Sequence, residues 1–397
     1  MAAHVEEAHA LLDEFEITDE TKGFRNDPPL RSFYGRSSFS LVRRPCSTRL
    51  RTGFMFTLVI LALGLVAILY TSRTPALNNR KPEQLAYLLH PHEHASRPPT
   101  TLVFNWTITS GLRSPDGVEK QVYLVNGKST SWRPWFCLIP VPGRFSGPLI
   151  EARSGDRVIV HVRNGLEDEG VSLHWHGLLL KNQNAMDGAV GFTQDQILPA
   201  SSFTYNFTIG DDEHGTFWWH SHSDLQRADG LWGGLVVHSP NDVNSLKEDY
   251  LIMVGDWFHR NESEVLSWYA DASSRGNEPV PDSLLVNGQG RFNCSMAAPA
   301  RPLNCSKVAR TEVKPLFKSL SGTMRLRVVN TGSIAGFSVG LEGATVQPMF
   351  VDGGSGVQSQ ALESVGIIYP GQRVDLIVRW GTDHTNSRQL VIYMDEE

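Results

Sequence analysis

The chain has 397 residues, 41% of them hydrophobic, 20% charged and 9% aromatic, with 35 Gly and 22 Pro; it is too apolar for a disordered chain and lacks the Gly and Pro excess of a collagen-like one. Lys and Arg number 36 against 42 Asp and Glu, a formal charge of −6, which excludes a nucleic-acid binder held by bulk positive charge. The 4 Cys include no C-x-x-C pair, which excludes a disulfide-scaffolded mini-domain, a zinc ribbon and a dithiol redox motif, whereas the 14 His are numerous enough for their positions to decide the function.

Residues 1–52 read as a cytoplasmic tail, with six Arg and no acid from Arg31 to Arg51. Gly53 to Tyr70 is an uncharged apolar run of 18 residues, enough for one membrane-spanning helix, and the anchor is set at 53–72. Only Arg73, Arg80 and Lys81 follow closely, so the basic excess puts the N-terminus in the cytosol. The five N-x-S/T sequons, at Asn105, Asn206, Asn261, Asn293 and Asn304, all lie beyond the run, which gives the same orientation and makes these the expected N-glycan sites. A cleaved signal peptide would need an n-region of 52 residues. The expectation is therefore an uncleaved signal anchor and a single-pass type II membrane protein of the secretory pathway, its folded part lumenal or extracellular. Cys46 beside the membrane is either a site for S-palmitoylation or a plain cytosolic thiol.

Residues 73–100 are rich in Pro, Asn and Arg without periodicity and read as a stalk. Within it, His90-Pro91-His92-Glu93-His94 reads as solvated linker: Pro interrupts it, and no second strand is at hand to complete a metal site. From Thr101 onward short β-like runs such as Arg157-Val158-Ile159-Val160-His161-Val162, Phe203-Thr204-Tyr205-Asn206-Phe207 and Val374-Asp375-Leu376-Ile377-Val378 alternate with turn signals such as Asp229-Gly230 and Pro370-Gly371. No long helical period intervenes, so the fold class is all-β, with tandem Greek-key β-sandwich domains at 101–240 and 241–397, divided at Pro240-Asn241-Asp242.

Two H-x-H pairs carry the chemistry: His174-Trp175-His176-Gly177 and Trp218-Trp219-His220-Ser221-His222. In a strand, residues i and i+2 project from one face, so each pair presents two imidazoles to one side and two neighbouring strands present four. Imidazole suits Cu, Zn, Fe and Ni alike, so the ligands do not name the metal. His161, His214, His238, His259 and His384 stand alone and read as structural.

The runs Gly147-Pro148-Leu149-Ile150-Glu151-Ala152-Arg153-Ser154-Gly155-Asp156, His174-Trp175-His176-Gly177, Met186-Asp187-Gly188, Gly215-Thr216-Phe217-Trp218-Trp219-His220-Ser221-His222 and Asp229-Gly230-Leu231 resemble the first, plastocyanin-like cupredoxin domain of fungal laccase-like multicopper oxidases. Gly255-Asp256-Trp257-Phe258-His259, Leu285-Val286-Asn287-Gly288 and Tyr369-Pro370-Gly371-Gln372-Arg373 resemble the second. The resemblance implies copper: His174 as a ligand of the type 2 ion, and His176, His220 and His222 as ligands of the binuclear type 3 pair. It implies four-electron reduction of O2 to water, with several metals close together so that partly reduced oxygen is not released. It makes Asp187 a catalytic carboxylate near the cluster that orients water or supplies protons, against the alternative of an Asp-Gly turn residue.

The sequence also departs from that family. A third cupredoxin domain with H-x-x-H-x-H and H-C-H motifs completes the family's cluster and its blue type 1 site; neither motif occurs in these residues. The chain thus reads as an N-terminal portion, with the type 2 and type 3 sites half-formed and no type 1 site. Asp195 and Ala228 stand where the family often has Cys, while Cys294 and Cys305 remain and would pair across a short loop in an oxidising lumen. Lys128 to Gly143, which includes Cys137, interrupts the family pattern; it is either a translated retained intron, as a splice donor encodable at Gly127-Lys128-Ser129 suggests, or a genuine surface insertion. Three functions follow: a laccase-like oxidase taking electrons from phenolic or related donors, a ferroxidase taking them from a metal ion, or a catalytically silent copper-binding module. Asp256 is either a donor-contacting carboxylate or a structural one.

Overall fold

The computed structural model describes residues 86–126, 145–241, 246, 248–299, 301–305, 316–317, 322–381 and 389–395. The apolar run 53–70, Cys46, His384 and the 128–143 stretch lie outside the described residues. No helix among the described residues is long and apolar enough to cross a membrane.

The described chain starts with a two-residue strand β1 (Tyr87–Leu88) and a short helix α1 (Pro91–Ala95). A first sandwich follows, made of β2 (Thr101–Arg113), β3 (Lys120–Val125), β4 (Ile150–Arg153), β5 (Arg157–Asn164), β6 (Leu173–His176), β7 (Ser202–Thr208), β8 (Gly215–Ser221) and β9 (Trp232–His238). Its two sheets, each of 4 strands, run β3-β2-β5-β7 and β4-β9-β8-β6. Strict alternation makes β5 a one-faced strand, with Val158, Val160 and Val162 turned inward to meet Trp106, Trp175, Phe207, Trp219 and Leu235. Strands β8 and β9 are buried along their whole length, because their other face is also covered.

That cover is the second sandwich: β10 (Asp249–Trp257), α2 (Glu262–Ala270), β11 (Ser283–Val286), β12 (Thr323–Asn330), β13 (Phe337–Leu341), β14 (Ala344–Val351), β15 (Ser355–Gly356), β16 (Ser364–Ile368), β17 (Arg373–Trp380) and β18 (Leu390–Met394). Its large sheet runs β1-β10-β12-β17-β14-β15 with β11 also on β10, and β16-β13-β18 faces it. Trp218, Trp232 and Val236 of the first sandwich pack with Leu251, Met253 and Val329 of the second.

A buried polar network crosses the same boundary. Arg327 donates two parallel bonds to the Asp249 carboxylate, both 2.8 Å long, and reaches Asp375 at 3.2 Å and the Thr216 hydroxyl of β8 at 3.1 Å. Thr216 in turn donates to Asp375. An arginine this deep is tolerated only because its planar donors are matched by two carboxylates.

The stalk expectation is corrected from residue 86 onward. Tyr87 and Leu88 pair antiparallel with Tyr250 and Leu251, and Leu89 joins the inter-domain apolar cluster. The sheet edge at β10 supplies backbone partners, and Ala86, Leu89 and Ala95 supply apolar surface that is buried to 5% exposure or less. Cys294 and Cys305 form the expected disulfide, and its loop is tied to the first sandwich where Glu119 N–H donates to the Asn304 carbonyl.

Candidate metal centre

Strand β6 is short, and alternation divides it cleanly: Leu173 and Trp175 enter the core while His174 and His176 face outward. The buried Tyr205 hydroxyl accepts from the Leu173 N–H at 2.8 Å and fixes the strand's height in the sandwich. On β8, Phe217 and Trp219 enter the core, which turns Trp218 and His220 to the same side as the β6 histidines. The strands are antiparallel neighbours with His174 opposite His220 and His176 opposite Trp218. His222 lies just past β8, where its N–H approaches the Ser172 carbonyl. The expected four imidazoles on one face are all present.

Their spacing is close and their tautomers are set locally. Ring centroids lie 5.6 Å apart for His174 and His176, 5.3 Å for His174 and His220, and 5.6 Å for His174 and His222. His174 Nδ1 donates to the Asp187 carbonyl at 2.9 Å with the Asp187 carboxylate at 3.2 Å, and His220 Nδ1 donates to the Ser221 carbonyl at 2.8 Å. Both rings therefore present Nε2 as the acceptor. His220 Nε2 lies 3.3 Å from His176 Nδ1, close to the roughly 3.3 Å expected between two nitrogens on one tetrahedral ion with 2.0–2.1 Å bonds. Ligating atoms of His174, His176 and His220 all fall within 4.8 Å of one another.

Burial drives both inner rings toward neutrality. It lowers His176 to about 3, with Arg373 and His174 adding repulsion, and it lowers His220 well below the ordinary imidazole value. Neutral imidazoles with converging lone pairs are what a borderline transition metal takes, so the donor set fits copper.

The second sandwich closes the site. A cleft of about 530 Å³ is lined by the four histidines together with Arg227, Glu262, Tyr269, Ser333, Pro370 and Gly371. Gly371, at φ +87°, brings its loop so close that a Cβ there would stand 3.0 Å from the His176 ring. Arg373 follows, donating to Asp352 at 3.0 Å and to the Thr216 carbonyl at 3.2 Å. Gly188, at φ +83°, plays the same part on the other side, since a Cβ would collide with the Leu173 carbonyl and push the Asp187 loop off β6.

Other expectations resolve one by one. Asp256 is structural: its carboxylate accepts from the N–H groups of Ser333, Ile334 and Ala335 at 2.7–2.8 Å. His259 is held by Asp116 at 2.8 Å, His161 bonds Thr204 and His214 bonds the Asp212 carbonyl. The solvated-linker reading of His90 to His94 is corrected in part: His90, His92 and Glu93 are exposed, but the segment is an ordered helical turn with Pro91 buried and His94 half-buried. Glu151 on β4 accepts from the His90 main-chain N–H at 2.8 Å and faces His94 and His238. The strands that sequence adjacency could not supply come from 57 and 144 residues downstream of His94. Arg227, Glu262 and the inter-domain arginines carried no local signal, whereas Gly371 and Arg373 sit in the Tyr369-Pro370-Gly371-Gln372-Arg373 run, whose Pro-Gly turn was visible.

Family models described as multicopper oxidase match residues 137–242 and 248–388. Laccase-1 of Cryptococcus neoformans var. grubii is 35% identical over 287 residues, 70% of this chain and 42% of that protein. The iron transport multicopper oxidase FET3 of Gibberella zeae is 33% identical over 262 residues, 65% of this chain and 38% of that protein. Among solved structures, the multicopper oxidase Fet3p, described as functioning in iron import, superposes with a TM-score of 0.57 at 26% identity, covering 75% of this chain and 49% of that one. The laccase from Botrytis aclada gives 0.57 at 28% identity, covering 72% and 48%. The chain thus spans about two-fifths of the length of the curated relatives it matches.

Proposed function

This chain belongs to the multicopper oxidase family, with a mostly β, cupredoxin-like fold, and from that premise we propose that it forms one half of the oxygen-reducing copper centre of a laccase-like oxidase. The observation that carries this reading is the convergence of His174, His176 and His220, with His222 beside them, on one face of β6 and β8. In the proposal His174 holds the type 2 ion and His176, His220 and His222 hold the type 3 pair. Copper bound there would supply the redox chemistry by which O2 takes four electrons from a phenolic or related donor and yields water. The remaining histidines and the Cys-containing type 1 site would come from further polypeptide that carries H-x-x-H-x-H and H-C-H motifs, which these 397 residues do not contain.

The chain's own residues perform five tasks. The Asp187 carbonyl fixes the His174 tautomer, and the Asp187 carboxylate, 3.2 Å from Nδ1 and part-exposed, is placed to hold a water or hand on a proton. Trp218 packs against His176 and His220, with ring centroids 5.1 and 4.4 Å away, and shields their inner sides from water. The Gly371 loop limits the motion of His176. Arg373 adds positive charge near His176, which reinforces burial in keeping that ring unprotonated.

A ferroxidase reading is favoured by one observation, the 33% identity to the iron transport oxidase of Gibberella zeae. Oxygen consumption decides between them. The copper-loaded chain is co-expressed with the H-C-H-bearing portion of a relative and supplied with a phenol or with Fe(II). Phenol-driven uptake supports the laccase-like reading, Fe(II)-driven uptake alone supports the ferroxidase, and retained copper with neither refutes an oxidase and leaves a copper-binding module.

The proposal has the chain anchored by residues 53–72 as a type II membrane protein with N-glycans on the five sequons. It rests on the apolar run and its Arg flank, and on the exposure of Asn105, Asn206, Asn293 and Asn304 in the folded part. Glycosidase-sensitive mass together with protection of residues 86–397 from protease in sealed vesicles is the expected result; cleavage of that part with the membrane intact contradicts it.

A further inference from the structure

A second histidine cluster lies on the same sheet. His94 of α1, Glu151 of β4 and His238 of β9 bring ligating atoms within 4.8 Å of one another. His238 Nε2 is 3.1 Å from Glu151 Oε2, His94 Nε2 is 3.8 Å from the same oxygen, and His90 Nδ1 is 3.2 Å from Oε1. The rings of His94 and His238 stack with centroids 5.0 Å apart. We propose that His94, Glu151 and His238, with His90 as a fourth donor, form a binding site for a divalent transition-metal ion of the zinc type that fastens the entering segment to the first sandwich.

Two observations support this. The donor separations surround the roughly 3.3 Å edge of a tetrahedral zinc site with bonds of 2.0–2.2 Å to nitrogen and oxygen. The His238 side chain is fully buried and directs Nε2 at the Glu151 carboxylate, so a buried imidazole and a carboxylate from two core strands face each other beneath His94. Arg97 sits 3.2 Å from His94 Nδ1 and pairs bidentately with Asp156; it keeps Asp156 when Nδ1 takes up the proton that Nε2 gives to solvent on metal binding. One carboxylate with two or three imidazoles, drawn from an apolar-anchored helix and two core strands, matches zinc better than a hard cation such as calcium.

The test uses the tag-free full chain, stripped of metal, in a His174→Ala/His220→Ala background that silences the other cluster. Equilibrium dialysis against Zn(II) is expected to leave one zinc per chain, a Zn(II)-dependent rise in melting temperature, and visible d–d absorption when Co(II) replaces zinc. Adding His94→Ala, a part-exposed position that the fold tolerates, is expected to weaken zinc binding at least a hundredfold and to abolish the thermal shift. Glu151→Gln, which keeps the side-chain shape, is expected to weaken it at least tenfold. Equal zinc retention and equal thermal shift with and without His94→Ala overturn the proposal, as does the absence of any zinc uptake, which would leave the cluster a hydrogen-bonded clasp.

Discussion

The two histidine clusters occupy opposite edges of one sheet, β4-β9-β8-β6, and both lie on the face turned away from the first core. At the β6–β8 edge, imidazoles face imidazoles, with the Asp187 carboxylate at the margin; at the β4–β9 edge, Glu151 sits among the imidazoles and accepts from them. The first arrangement sets imidazole nitrogens converging on one another and is finished by loops of the second sandwich. The second is largely satisfied by its own hydrogen bonds and is finished by the segment entering at residue 86. The same alternation and the same pleat therefore yield one centre closed directly by loops of the second sandwich and another that meets the second sandwich only through the entering segment paired with β10.

The sharpest way to break that contrast is at the inter-domain network. Arg327→Leu strands the buried Asp249 carboxylate, while Asp375 keeps Arg325 and Thr216, at a cost of about 3–5 kcal/mol. Denaturant unfolding should show that loss, and copper affinity at the β6–β8 cluster should fall more than tenfold while zinc affinity at the β4–β9 cluster stays within twofold. Equal losses at both would mean that the clusters share their support. Gly371→Ala is a smaller lever: a Cβ at φ +87° and 3.0 Å from His176 should cost about 1–2 kcal/mol and weaken copper binding severalfold, read by calorimetry and metal titration.

Glu262, in the wall of the cleft, gives a pH test. Burial raises its carboxyl to about 7, above the ordinary value of 4.5. The folded state thus binds this proton more tightly than the unfolded state, so the stability it contributes is full below pH 4.5 and is lost as pH rises through 7. Glu262→Gln should therefore gain on the wild type by about 2 kcal/mol between pH 5 and pH 8, seen as a diverging pair of melting curves. Parallel curves would contradict it. The mildest change is Asp187→Ala. The main-chain carbonyl that orients His174 survives, so copper affinity should fall less than about tenfold, while the pH profile of oxygen uptake shifts. A hundredfold loss of affinity would make the carboxylate a ligand in its own right.

Much of the β6–β8 centre was legible in the sequence because everything it needs is local. Trp175 between His174 and His176, and Trp219 before His220, announce which face is core, and strand alternation does the rest. The second sandwich was readable as strands such as Val374 to Val378, whereas the Arg327–Asp375–Thr216 contacts that seat it on β8 join residues 48 and 111 positions apart, with no periodicity to betray them. The β4–β9 cluster was hidden for the same reason. His90 to His94 look solvated in isolation, and His90, His92 and Glu93 are exposed; what draws His90 and His94 onto Glu151 is the pairing of Tyr87 with Leu251 and the arrival of Glu151 and His238 from distant strands.

The central claim, that the β6–β8 histidines form a metal centre, is tested most directly by copper analysis of the tag-free chain in a His94→Ala background, by elemental analysis and electron paramagnetic resonance. The account predicts bound copper with nitrogen hyperfine structure, lost when His174→Ala and His220→Ala are added in a chain that still melts cooperatively. Equal copper content and identical spectra with and without those two substitutions would contradict it.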